Sequence, residues 1–345
     1  MPGISDQGMT NLAATALVLP EPVLDVAALT SLPRLLQSQL DGMRIGDVAT
    51  PALLHAAWLA LENNTSRMLP HWEFLEPDFC AADTDTEEWF ADAVPQLVAR
   101  FRDVLPPKAS AVRCTTEGEA DRFLHANHVD MGCGRRFIAA QRPLLPELGI
   151  FRRLLLQDRV ALVVDLSSDA APGGNPSGGR NISATHAHLD FPGWPDRGTI
   201  AIDALISLAN EVEARSPDVR RPILIHCLAG VGRTGTLMSF LGARRRLQAM
   251  AGQGTAMVPA LIVAEAQRAI ACGRIARGPL FVQTEEQFRL LLQALFQELC
   301  GVTSITPGLS ATRPVGAGKL LAPAYLGTHP VGLPVPWWRR LLQRL

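Results

Sequence analysis

No charge of one sign dominates this sequence: 32 lysines and arginines stand against 33 aspartates and glutamates, a formal net charge of −1. Such a balance excludes non-specific nucleic-acid binding as the main task, while leaving room for a local basic pocket. Long hydrophobic runs are missing too. Ala256–Ala264 is nine residues and contains Pro259, far short of the ~20 apolar residues that a bilayer span needs. The start, MPGISDQGMTNLAATALVLPEP, lacks basic residues followed by a long apolar stretch, so it does not read as a cleavable secretory signal. There are no CxxC pairs. The six cysteines (Cys80, Cys114, Cys133, Cys227, Cys272, Cys300) are scattered, which argues against a disulfide framework or a zinc module. Reduced thiols are expected, most of them small inert core residues. No internal repeat is visible.

What is present is apolar material in quantity. The 345 residues are 48% hydrophobic and 19% charged, enough for a buried core and incompatible with wholesale disorder. The length allows one large domain or one domain with appendages. Residues 1–20 are polar and short of charge and are expected to form a flexible leader. Residues 21–74 turn helical. Ser31 before Leu32 and Pro33 reads as a helix start, with Leu35, Leu36 and Leu40 on one apolar face. Thr50 followed by Pro51 is a stronger start, and Leu53, Leu54, Trp58 and Leu61 then recur at helical spacing. This region is expected to be a small helical bundle or a docking segment for a chaperone or targeting partner, with no chemistry of its own. Pro70–Asp85 reads as a linker, and Thr86–Phe101 as a helix interrupted by Pro95.

From there to residue 300 strands and helices alternate. Phe137–Ala140, Val160–Leu166 and Ile223–Ile225 read as strands. Ile200–Ala214, Thr234–Leu247, Pro259–Ala271 and Gln283–Leu299 read as helices, the last opened by Thr284 with Gln287 three residues on, a capping box. Asp169–Asn181 is a glycine- and proline-rich loop. The alternation is that of an α/β fold. Residues 301–345 form a Gly/Pro-rich tail ending in Trp337, Trp338, Arg339 and Arg340. That end is expected to pack on the domain or fray rather than to contact a membrane.

The stretch that carries chemistry is ILIHCLAGVGRTGT, Ile223 to Thr236. A buried strand delivers Cys227 into a tight turn, and the turn runs into a helix. Cys227 and Arg233 are six positions apart, and Gly230 and Gly232 let the backbone fold between them. The loop Leu228, Ala229, Gly230, Val231, Gly232 can aim its amides at one point with the positive end of a helix behind them, a seat for a tetrahedral oxyanion. Arg233 adds a planar fork that grips two phosphate oxygens. A free thiol has a pKa of about 8.5, and helix N-termini and cations lower it. Cys227 is therefore expected to be a thiolate at neutral pH, a nucleophile aimed at phosphorus. Thr234 can donate to the sulfur as it leaves, and His226 is placed to organise the loop from below.

The string His226–Gly235 resembles the signature loop of the protein tyrosine phosphatases, His-Cys-x5-Arg followed by Ser or Thr. Three further segments match in the family's order. Trp194-Pro195-Asp196, thirty-one residues before Cys227, resembles its mobile acid loop. A phenolate leaving group, with a pKa near 10, needs protonation as the P–O bond breaks, and Asp196 takes that role by resemblance. VQTEEQF resembles the glutamine loop: Gln283 would hold the water that attacks the phosphocysteine, with Gln287 placed among the substrate-binding residues. ARFRDVLPPKASAVRC resembles the substrate-recognition loop. Phe101 would stack on the phosphotyrosine ring and make the pocket deep, Asp103 would accept backbone N–H bonds of a bound peptide, and Arg102 would favour acidic neighbours. FLHANHVDM and RRFIAAQRPL resemble scaffold segments of the family.

The resemblance spans residues 75–300. It implies a twisted mixed central sheet flanked by helices and hydrolysis of protein phosphotyrosine without cofactor or metal. It departs from the family at Ala99, Phe101 and Arg142, and the short Leu166–Trp194 interval leaves little room for the glutamate that orients the signature arginine. Compact bacterial members, including injected virulence effectors in signalling pathways, trim such loops. The expected location is accordingly cytoplasmic, or a host cell after secretion. Two alternatives stay open. One is an inositol phosphate or phosphoinositide phosphatase, against which the apolar Leu228, Ala229 and Val231 count. The other is a phosphotyrosine-binding pseudoenzyme or adaptor, against which the presence of Cys227, Arg233 and Asp196 counts.

Overall fold

The computed structural model describes residues 26–43, 51–76, 78–79, 97–114, 122–144, 147–167 and 186–300. The leader at 1–20, most of the Asp169–Asn181 loop's surroundings, that loop itself and the tail at 301–345 lie outside these residues. In chain order the elements are α1 (Val26–Thr30), α2 (Arg34–Asp41), α3 (Pro51–Met68), β1 (Asp78–Phe79), β2 (Val98–Ala99), β3 (Ala111–Cys114), β4 (Arg122–Asp130), β5 (Arg136–Gln141), α4 (Leu148–Gln157), β6 (Leu162–Asp165), β7 (Ala187–Asp190), α5 (Ile202–Arg215), β8 (Ile223–Cys227), α6 (Gly232–Gly252), α7 (Pro259–Arg277) and α8 (Glu285–Cys300).

Six strands form a mixed sheet in the order β3-β4-β5-β8-β6-β7. The β3–β4 and β4–β5 pairs are antiparallel, while β8 runs parallel to β5 and β6, and β6 parallel to β7. The expected α/β class with a mixed sheet and flanking helices is what the molecule has. Strand side chains alternate between faces, and β8 shows what that alternation does. Ile223, Ile225 and Cys227 enter the large core shared with α5, α6, α7 and α8, whereas Leu224 enters the smaller core under α4 with Phe151, Leu154 and Leu155. Among the described residues no helix is long and apolar enough to cross a membrane.

Helix α3 is described from Pro51 onward, and Leu53, Leu54, Trp58 and Leu61 are all buried. In α2 the expected face is narrower: Leu36 and Leu40 are buried but Leu35 is 74% exposed, because it lies one residue around the helix from Leu36. The N-terminal helices are seated on the rest of the domain. Trp58 packs on Phe288 with ring centroids 5.6 Å apart, and Gln267 Nε2 donates to the Ala57 carbonyl at 3.1 Å. The stretch expected as a linker is seated too where it is described. Trp72 is buried, and its indole N–H donates to the Arg274 carbonyl at 3.1 Å.

The helix expected over Thr86–Phe101 is corrected at its end, its earlier part lying outside the described residues. Val98 and Ala99 form β2, parallel to β1. The physical reason lies across the chain in Gln141. Its amide accepts from Arg100 N–H at 3.0 Å and donates to the Val98 carbonyl at 3.0 Å, so a side chain supplies the pairing that a neighbouring strand would.

Candidate active site

The site lies at the carboxyl end of β8, where ligands of parallel sheets bind. Cys227 is the last strand residue and is buried. Gly230 then takes φ +73°, and a Cβ there would lie 2.1 Å from the Ala140 carbonyl oxygen, so the loop can press on β5 only as glycine. Helix α6 begins at Gly232.

The loop's carbonyls are pulled to one side. Leu228 O accepts from Arg142 N–H at 3.1 Å. Ala229 O accepts from Arg277 Nη2 at 3.0 Å, and Gly230 O from Arg277 Nε at 3.2 Å. In a trans peptide the N–H points opposite the C=O, so these three bonds turn the amides of Ala229, Gly230 and Val231 to the other side. Gly230 N–H indeed donates to Cys227 Sγ at 3.3 Å. The sulfur and this amide thus lie on the same side of the loop.

Arg233 is 1% exposed. Its Nη1 donates to the carbonyls of Leu166 (3.0 Å) and Trp194 (2.9 Å), and its Nη2 to Asp196 Oδ1 (3.0 Å). Two backbone carbonyls thus orient the guanidinium where the family resemblance calls for a glutamate. Its Nε has no partner among the described residues. Asp196 is 60% exposed at the mouth. The acid loop is braced by Trp194, which is buried and donates its indole N–H to the Gly198 carbonyl at 3.0 Å.

His226 sits behind the loop on the α4 face, edge-on to Phe151 with centroids 6.4 Å apart. Its Nδ1 is 3.6 Å from Asp165 Oδ1. Burial holds His226 below the ordinary imidazole range, and Asp165 pulls the other way. Burial pushes the Asp165 carboxyl up, but His226 and the Ser167 donors outweigh it and leave it low. His226 lies on the opposite face of β8 from Cys227, and its Nδ1 has no hydrogen-bond partner among the described residues.

Thr234 is completely buried and its hydroxyl has no partner among the described residues; the bond expected of it, to the departing sulfur, belongs to a later step than this resting arrangement. Gln287 is completely buried, and its Nε2 lies 3.1 Å from where a Cβ on Gly232 would be. Its Oε1 accepts from Gln283 N–H at 2.9 Å, and its Nε2 donates to Gly198 O at 3.3 Å. It couples the glutamine loop to the acid loop. The capping box is half realised, since Thr284 Oγ1 accepts from Gln287 N–H at 3.2 Å while Gln287 reaches past the cap to residue 283. Gln283 stands beside α6, its Oε1 3.0 Å from where a Cβ on Gly232 would be. Phe101 packs with Val104, Val231, Leu280 and Ala229, an aromatic wall next to the loop. Arg102 is exposed and Asp103 half-buried beside it.

Three anchors were not anticipated. Arg277, His125 and Asn127 form a buried set behind the loop: Arg277 Nη1 donates to Asn127 Oδ1 at 2.7 Å and Nη2 to His125 Nδ1 at 2.9 Å. His125 Nε2 in turn meets the Val104 carbonyl at 2.8 Å, and Asn127 Nδ2 donates to Pro107 O at 2.9 Å. Burial lowers both His125, to about 3, and Arg277, with Cys227 opposing the shift on the arginine. The segment FLHANHVDM therefore does more than build scaffold, because it ties the signature loop to the recognition loop. In sequence an arginine at a helix C-terminus reads as a dipole partner, so nothing local singled out Arg277.

The sequence model of the family described as protein-tyrosine phosphatase matches residues 96–176 and 174–297. Among curated proteins, the human receptor-type tyrosine-protein phosphatase eta is 27% identical over 239 residues, covering 57% of this chain and 17% of the relative. The Arabidopsis thaliana protein-tyrosine-phosphatase PTP1 is 32% identical over 123 residues, covering 34% of this chain and 32% of the relative. The chain spans less than a third of the length of these two relatives. A solved structure described as PTPN18 in complex with HER2-pY1196 phosphor-peptides superposes with TM-score 0.55 at 19% identity, over 78% of this chain and 99% of that one. With the family model matching more than half of the sequence, and with the strand–loop–helix site where that family would place it, the chain belongs to the protein-tyrosine phosphatase family.

Proposed function

We propose that the protein hydrolyses phosphotyrosine in protein substrates through a cysteinyl-phosphate. The observation that carries the reading is the front of the signature loop, where Gly230 N–H meets Cys227 Sγ at 3.3 Å and Asp196 meets Arg233 at 3.0 Å. A phosphate entering there displaces the Asp196 carboxyl from the guanidinium and takes its place. The thiolate attacks phosphorus, the bond to the tyrosine oxygen breaks, and Asp196 gives that oxygen its proton. Water held by Gln283 then attacks phosphorus, the P–S bond breaks, and Asp196 takes the proton as inorganic phosphate leaves. The amides of Ala229, Gly230 and Val231 and the Arg233 fork stabilise the equatorial oxygens throughout. Phe101 against Ala229 and Val231 makes one wall apolar, which suits an aryl ring better than a polyanionic inositol. The solved relative carries phosphopeptides by its description, and the same class of ligand fits here.

The test is Cys227→Ser. Turnover of a phosphotyrosine peptide should vanish while its Kd stays within about tenfold, because the cradle remains. Residual turnover would remove Cys227 as nucleophile. Peptide binding by a wild-type protein that hydrolyses nothing would favour the adaptor reading.

A further inference from the structure

The N-terminal helices carry a residue set that the reading above does not use. Arg274, on α7, is 1% exposed. Its Nη2 meets Glu62 Oε1 at 2.7 Å and its Nη1 donates to Thr65 Oγ1 at 2.6 Å, both partners on α3. The Trp58 ring of the same helix lies 5.3 Å from the guanidinium carbon. On its other side Arg274 donates from Nε to the Phe281 carbonyl at 3.2 Å and from Nη2 to the Val282 carbonyl at 3.4 Å. Those two residues lead directly into Gln283.

Val282 has φ +58°. A β-branched residue in the left-handed region is strained, and such strain persists only when the surroundings over-determine it. Here they do so from two sides. Val282 N–H donates to the Val231 carbonyl in the signature loop at 3.2 Å, and Gly235 of α6 comes so close that a Cβ would lie 2.6 Å from that nitrogen. Arg274 holds the carbonyl. A buried guanidinium needs a counter-charge to stay there, and Glu62 supplies it.

Resting on the phosphatase reading, we infer that Glu62 and Thr65 are positioning residues: through Arg274 they hold the strained Val282 turn that aims Gln283 at the attacking water. Helix α3, expected to belong to a small helical bundle or a docking segment, is then part of the machinery of the second half-reaction. The first half-reaction draws on Cys227, Arg233 and Asp196, which Arg274 does not touch, so the two steps should respond differently.

The test uses the full chain, p-nitrophenyl phosphate in rapid-mixing kinetics, and amide hydrogen exchange of the free protein. In Glu62→Gln the first release of p-nitrophenolate should stay within about twofold of wild type while steady-state turnover falls about tenfold, leaving a burst near one product per site. Gln283→Ala should give the same pattern, and adding Glu62→Gln to it should change steady-state turnover by less than about twofold. The Val282 and Gln283 amides should exchange about tenfold faster in Glu62→Gln, with the α6 amides unchanged. Thr65→Val, which keeps the counter-charge, should shift both readouts in the same direction by a smaller factor, and it decides the matter if Glu62→Gln does not fold. Unchanged exchange at 282 and 283, or equal loss of burst and steady-state rates, overturns the inference. A wild-type protein that releases no product overturns the phosphatase reading instead, and exchange at 282 and 283 then decides this one.

Discussion

Arg233 and Arg277 are both wholly buried and stand on opposite sides of one loop, yet they are used in opposite ways. Behind the loop, Arg277 binds two carbonyls, Asn127 and His125. In front, among the described residues, the Arg233 Nε and the Thr234 hydroxyl have no partner, and the carboxylate that Arg233 meets is mostly in water. Buried polar groups normally find partners. Every nitrogen of the Arg277 guanidinium is engaged, whereas Arg233 keeps one donor in hand, an asymmetry that suits preorganisation for an incoming anion.

The front should break hardest in catalysis. Asp196→Ala should lower kcat by about 10²–10⁴ for a phenolate as poor as that of tyrosine, and far less for p-nitrophenolate, the difference being the loss of general-acid help. Steady-state rates on the two esters check this, and equal losses would remove the acid role. Because Asp196 is also the resting partner of Arg233, phosphate inhibition should tighten in the same variant.

The back should break in stability as well. Arg277→Met orphans the Ala229 and Gly230 carbonyls, Asn127 Oδ1 and His125 Nδ1. At about 1–3 kcal/mol per unsatisfied buried group, partly relieved by water, a loss of about 4 kcal/mol is expected. Calorimetry should show Tm falling by roughly 10 °C, and the Cys227→Ser background should lose its phosphopeptide affinity.

The smallest effect concerns pH, where the back is itself imperfect. Glu147 anchors Gln141 from its Oε2 at 3.1 Å, but its Oε1 has no partner. Burial pushes its carboxyl up to about 7. A raised acid contributes stability below its unfolded pKa of 4.5 and loses it as pH rises through about 7. His125, lowered from 6.5 to about 3, has the opposite sign: its contribution is present above pH 6.5 and is lost as pH falls toward 3. The two slopes oppose each other between pH 4.5 and 6.5. Glu147→Gln should unmask the histidine, making stability rise with pH more steeply by about 1.4 kcal/mol per unit in that window. Urea titrations at several pH values measure it, and an unchanged slope would mean that Glu147 is ionised in the folded state.

Much of the site was legible because its chemistry is local. Cys227, Gly230 and Arg233 lie within one strand–loop–helix passage, so spacing alone brings them together, and the α6, α7 and α8 patterns predict helices the structure contains. The errors fell where pairing is distant. Val98–Ala99 became a strand because β1 pairs with it and Gln141, more than forty residues away, bonds its backbone. The α3 residues Glu62 and Thr65 acquired a place near the site only because Arg274 of α7 packs on them, 212 and 209 residues further along the chain.

What the sequence determined by itself was the place of Cys227 at a strand end, the tight turn after it and the helix that follows, since these depend on dihedral preference and neighbouring residues. Which carbonyls would hold Arg233, which arginine would lock the loop from behind and which helix would neutralise Arg274 were decided by tertiary structure. A buried charge or carbonyl takes whatever partner packing brings within hydrogen-bond reach, and no local pattern encodes that partner.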